Sequence, residues 1–95
     1  MPEMYFDVQW PDGSEQSCYS PSSIIEEYFK PGSEYSLTTF VSLSEQALTL
    51  ASERVKNKYG YYCSSAADQL ATIKTRASDF QGTDSVMLLR IRNGI

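Results

Sequence analysis

Met4-Tyr5-Phe6-Asp7-Val8-Gln9-Trp10, then Pro11-Asp12-Gly13-Ser14, then Glu15 to Tyr19: this stretch decides the fold. Met4, Phe6, Val8 and Trp10 are apolar at every second position, the period of a strand with one buried face. Pro11 presets φ, Asp12 suits an early turn position and Gly13 accepts positive φ, so a tight turn follows. Glu15 to Tyr19 then returns as the second strand of a hairpin, with Cys18 near its end. Trp10 is expected at the core end of the first strand.

Three helices are expected next. Ser20-Pro21-Ser22-Ser23 offers N-cap oxygens and a first-turn proline, Ser23 to Glu26 matches a capping box, and Lys30-Pro31-Gly32 stops a short helix near Phe29. Leu37, Phe40, Val41, Ser44, Leu48, Ala51, Val55 and Tyr59 carry the three-and-four spacing of a long helix that begins near Ser36 or Leu37 and ends at Gly60. A second capping box at Ser42 to Glu45 leaves open a break in that helix. Arg54, Lys56 and Lys58 sit where cations meet the negative end of the helix dipole. Ala66, Leu70, Ile73, Ala77 and Phe80 form one stripe on a third helix, with a capping box at Ser65 to Asp68 and Gly82 as its stop. Ser85 to Arg92 reads as a strand, with Met87, Leu89 and Ile91 facing one way and Val86, Leu88, Arg90 and Arg92 the other.

The expected fold is therefore α+β. It is a two-layer sandwich in the order β-β-α-α-α-β, in which a three-stranded sheet (the hairpin plus the C-terminal strand) is covered by helices on one face. The 95 residues form a single domain, 1–95. Three strands leave two open edges, which makes a homodimer through edge pairing an expectation to test.

Composition narrows the chemistry. Eight Lys and Arg stand against 12 Asp and Glu, a net charge of −4. Such a chain lacks the broad positive field on which nucleic-acid binding rests, so no nucleic-acid partner is expected. Reviving one would need Arg54, Lys56, Lys58, Arg90 and Arg92 on one face. No stretch approaches the roughly 20 apolar residues that span a bilayer, so no membrane partner is expected either. The start of the chain has no basic segment followed by an apolar one, which implies a cytoplasmic location and reduced thiols. The chain contains no His. That removes the commonest general base and metal ligand, together with every Ser-His or Cys-His pair. No metal and no cofactor are expected, and an independent enzyme is disfavoured. No phosphate-binding loop, dinucleotide fingerprint or nucleophile elbow is present.

The suggestive residues are the two cysteines, each ahead of a predicted helix. Free N–H groups and the positive end of the dipole would stabilise a thiolate or a bound anion there. Cys63 is the candidate nucleophile, and Cys18, Cys63, Tyr59, Tyr61 and Tyr62 are the candidate ligand-binding residues. Three readings of Cys63 stand side by side: a small buried hydrophobe at a loop-to-helix junction, a reactive thiol, or a disulfide partner of Cys18.

Trp10-Pro11-Asp12-Gly13, Cys18-Tyr19-Ser20-Pro21-Ser22, Tyr35 with Leu37 and Phe40-Val41, Ala47-Leu48, Ala51-Ser52 with Arg54-Val55, Tyr59-Gly60, Cys63-Ser64 with Ala66, and Asp68-Gln69-Leu70 carry a family resemblance. They resemble a small bacterial family named for the nitrogen starvation response and encoded in gene clusters beside a nitrilase. The resemblance runs from Met1 to about Phe80. It implies a setting in nitrile- or cyanide-linked nitrogen metabolism, among genes for a nitrilase, a radical S-adenosylmethionine protein, an acetyltransferase, a flavoprotein and a relative of a purine-synthesis enzyme. It implies no reaction and no catalytic residue. Two functions follow as expectations. One is a non-catalytic accessory or binding protein with a partner among the nitrilase-cluster enzymes. The other is a small thiol-dependent enzyme or ligand carrier acting through Cys63.

Overall fold

The computed structural model describes residues 3–60 and 64–93. Strands β1 (Met4–Gln9) and β2 (Glu15–Ser20) form the hairpin, followed by a four-residue helix α1 (Ile25–Tyr28) and a three-residue strand β3 (Glu34–Ser36). Helices α2 (Leu37–Tyr59) and α3 (Ser64–Ala77) come next, and β4 (Ser85–Asn93) ends the order. The strands form one antiparallel sheet, β2-β1-β4-β3.

The turn forms as its residues dictate. Gly13 takes φ +88°, its N–H donates to the Trp10 carbonyl at 2.8 Å, and the Trp10 N–H donates to the Ser14 carbonyl at 2.8 Å. The register places Phe6 opposite Cys18 and Asp7 opposite Ser17. Phe6, Val8, Trp10 and Cys18 are buried together with Phe29, Phe40, Leu48, Ile73, Val86 and Leu88 in one core. Trp10 anchors it. Its ring stacks on Phe80 at 6.0 Å, meets Phe40 edge-on at 5.6 Å, and its Nε1–H donates to Gln16 Oε1 at 2.9 Å.

Helix α2 runs unbroken for 23 residues, so the second capping box at Ser42 does not interrupt it. The Ser36 hydroxyl caps its start by accepting from the Thr39 N–H, and Gly60 closes it at φ +83°. The box expected at Ser23 does not form: Ile24 is the N-cap of α1 and gives no side-chain cap bond, while two serines brace the turn ahead of it. The Ser22 hydroxyl accepts from the Ile24 N–H, and the Ser20 hydroxyl donates to the Ser22 carbonyl. Helix α3 is tied to the hairpin at two points. Gln69 Oε1 accepts from the Tyr19 N–H at 3.0 Å, and the Arg76 guanidinium reaches the Asp12 carboxylate at 3.0 Å.

Two expectations are corrected. The sheet has four strands, not three, and the order is β-β-α-β-α-α-β. The missed strand is β3. Three residues are too few to show a period, and Glu34 to Ser36 are extended because β4 supplies their partners. Gly32 and Ser33 prolong the contact, with the Gly32 N–H donating to the Leu88 carbonyl and the Leu88 N–H to the Ser33 carbonyl.

The second correction is the facing of β4. A bulge lies between the pairs Asp7–Arg90 and Val8–Leu88 and leaves Leu89 as the extra residue. The phase flips there. Val86 and Leu88 are buried in the core and Ile91 packs against it, while Arg90 and Arg92 point to the other face. Strict alternation could not join Leu88 to Ile91.

Trp10→Ala is expected to lower unfolding stability by about 3–5 kcal/mol in urea titrations, since it removes a buried aromatic and leaves a cavity. Ser44→Ala is expected to leave stability unchanged or raise it slightly, because the Ser44 hydroxyl is buried without a hydrogen-bond partner.

Candidate functional site on the sheet face opposite the helices

With Phe6 and Val8 turned into the core, Tyr5 and Asp7 face the other side of the sheet. The register sets two rows across three strands there. One row is Tyr19, Tyr5 and Arg92; the other is Ser17, Asp7 and Arg90. Arg90 and Arg92 share that face only because of the bulge at Leu89.

Asp7 organises both rows. Its side chain is only 8% exposed. Asp7 Oδ2 accepts from Arg90 Nη1 at 2.9 Å and from Arg92 Nε at 3.1 Å, and Oδ1 accepts from Arg92 Nη2 at 3.3 Å. The Ser17 hydroxyl also donates to Asp7 Oδ1 and accepts from Arg92 Nη2 at 2.6 Å. Burial pushes the Asp7 carboxyl up. The hydrogen bonds from Arg92, Ser17 and Arg90, with the Arg92 charge, outweigh burial and hold it below the usual carboxylate range. Asp7 in turn raises Arg92 above its ordinary value. The ionised cluster thus satisfies a buried charge that would otherwise be costly.

The aromatic row is continuous with it. The Arg92 guanidinium lies 5.0 Å from the Tyr5 ring centroid, and Tyr5 meets Tyr19 edge-on at 5.7 Å. Beside the two tyrosines an open groove of about 500 Å³ runs to α3, lined there by Ser65, Asp68 and Thr72. Arg90 and Arg92 remain 58% and 49% exposed. The face therefore presents rigid rings and pre-oriented guanidiniums to solvent, which are groups that dominate binding surfaces.

The residues singled out from sequence fall elsewhere. Cys63, Tyr61 and Tyr62 lie outside the described residues. Cys18 is a free thiol fully buried in the core, and burial together with the Asp7 charge pushes it up to about 12. A thiol so protonated is a packing group, not a nucleophile. Tyr59 stands at the last turn of α2, 50% exposed, with Lys58 Nζ 5.6 Å from its ring centroid. Cys18 and Tyr59 therefore do not meet. Arg54 is on α2, where it pairs with Glu27 at 3.9 Å, so it belongs to the helical layer and not to the face of Arg90 and Arg92. Among the described residues no group of three acidic, Cys or His side chains is placed to hold a metal, and no helix is long and apolar enough to cross a membrane.

The class these features define is a small α+β domain with one sheet face packed under helices and the other left as an aromatic and arginine surface. Residues 5–91 match the family described as nitrogen starvation-induced protein NitG, and the chain belongs to that family. None of the curated proteins and none of the solved structures matches it.

Asp7→Asn is expected to lower stability at neutral pH by about 1.5–3 kcal/mol, the usual worth of hydrogen bonds to a charged group. The native carboxyl titrates below its unfolded value of about 3.9. Its contribution is therefore complete at neutral pH, fades as pH falls past that value, and is gone below the native midpoint. Denaturation of wild type and variant across pH should show the gap closing in acid. In a Cys63→Ser background, Cys18 should react with a thiol reagent only as fast as the protein unfolds.

Proposed function

We propose that the protein is a non-catalytic binding subunit of the nitrogen starvation response, acting in the cytoplasm, and that its partner is an enzyme of nitrilase-linked nitrogen metabolism. The observation that carries this reading is the connected surface of Tyr5, Tyr19, Arg90 and Arg92, locked from beneath by Asp7. Side chains held in place lose little entropy on binding, and Tyr and Arg are the residues on which interfaces concentrate their energy. The one described thiol is inert, which favours binding over covalent chemistry.

The sheet edges favour a different chain over a second copy as the partner. Gln69 covers the edge of β2 at Tyr19. Two β4 edges set antiparallel about Ile91 would place Arg90 of one copy against Arg92 of the other, a like-charge pairing.

The purified chain should co-elute with the cluster nitrilase at micromolar concentration. A Tyr5→Ala, Tyr19→Ala variant, which leaves the buried core intact, should weaken that complex at least tenfold, about 1.4 kcal/mol. A chain that stays alone with the nitrilase and the other cluster enzymes contradicts the reading.

A further inference from the structure

We propose that Arg90 and Arg92 form a seat for a single carboxylate carried on an extended segment of the partner protein. The inference rests on the reading of this face as an interaction surface and names what the surface recognises.

Three observations carry it. First, one carboxylate holds two guanidiniums, so the cluster keeps one positive charge. Among the described residues, Asp7 is the only carboxylate within ion-pair distance of either arginine. A single negative charge completes it. Both arginines are held by Asp7 while about half exposed, so their remaining N–H groups are oriented before a ligand arrives. Second, Arg90 and Arg92 project from the same face of β4. Beyond Leu88, no described strand continues along the outer edge of β4, because β3 ends its pairing at Met87. An extended segment laid along that edge brings its alternate side chains beside the two guanidiniums, the cross-strand position where opposite charges attract. Third, the wider charge distribution selects the ligand. The chain is acidic, and Glu3 and Asp68 line the groove beyond Tyr5. A dianionic phosphate or a nucleic-acid backbone meets that repulsion, whereas one carboxylate matches the residual charge.

The same two arginines that would repel each other across a self-paired edge attract a strand that carries one carboxylate.

The test is a titration of the full-length wild-type chain, followed through the arginine Nε–Hε signals in two-dimensional NMR. The probe is a blocked five-residue peptide with one glutamate between valines. The glutamine isostere, a phosphoserine counterpart and inorganic phosphate serve as comparators. The seat predicts saturable shifts at Arg90 and Arg92 with little change at Arg54 and Arg76, and binding of the glutamate peptide at least fivefold tighter than that of its glutamine isostere, a difference of about 1 kcal/mol. Added salt should weaken it. Arg92→Lys keeps the charge but loses the fork, and should erase most of the glutamate preference. If that variant fails to fold, the wild-type titration decides alone. Equal shifts at all four arginines, no shifts, or tighter binding of phosphate or the phosphoserine peptide would overturn the proposal. Co-elution with the nitrilase despite a silent titration would overturn this inference and leave the binding role intact. A selective titration without co-elution would overturn only the choice of partner.

Discussion

A carboxylate in the middle of the central strand shapes both sides of this sheet. Strand β1 is flanked by β2 and β4, and its side chains alternate between two environments. Phe6 and Val8 enter the aromatic core; Asp7, between them, must be buried on the opposite face. A charge there is stable only if donors surround it, and Ser17, Arg90 and Arg92 come from both neighbouring strands to do so. The same bonds join three strands on the face turned away from the core. They also hold two guanidiniums and, through Arg92, a tyrosine ring in place. Structural need and the outward face on which the proposed binding rests thus coincide in one cluster.

Much of the fold was legible from local signals. The alternation from Met4 to Trp10, the Pro-Asp-Gly turn, the helix start near Ser36 or Leu37 and the Gly60 stop all act within a few residues of chain, and each appears where its chemistry places it. What escaped is non-local. Glu34 to Ser36 become a strand because β4 is there to pair with them. The bulge at Leu89 depends on how β4 must bend across β1 to bring Leu88 and Ile91 to one core. Periodicity has no memory of such an interruption, so it assigned Leu88 and Arg90 to the same side. The serines before α1 offered several capping geometries, yet the helix has no side-chain cap, and the buried hydroxyls of Ser20 and Ser22 bond within the turn ahead of it.

The candidate site was less legible. Cysteines draw attention because their chemistry is local, yet Cys18 proves to be core packing opposite Phe6. The Asp7–Arg90 contact joins residues 83 apart, a separation that local patterning does not span. One signal was present: an aspartate at the centre of an otherwise strongly patterned strand needs a cationic partner, and Arg90-Ile91-Arg92 is the one arginine pair with strand spacing. Membership in the nitrogen starvation-induced family ties the protein to nitrogen starvation; the sheet face is the surface on which the proposed binding role rests.

The most direct measurement of the central claim is the titration of the Asp7 side-chain carboxyl carbon by NMR between neutral and strongly acid pH. A midpoint below the ordinary aspartate value, with the Arg90 and Arg92 signals moving on the same curve, is what the ion cluster requires. A midpoint at or above that value, or arginine signals indifferent to it, would show that Asp7 does not hold the face together.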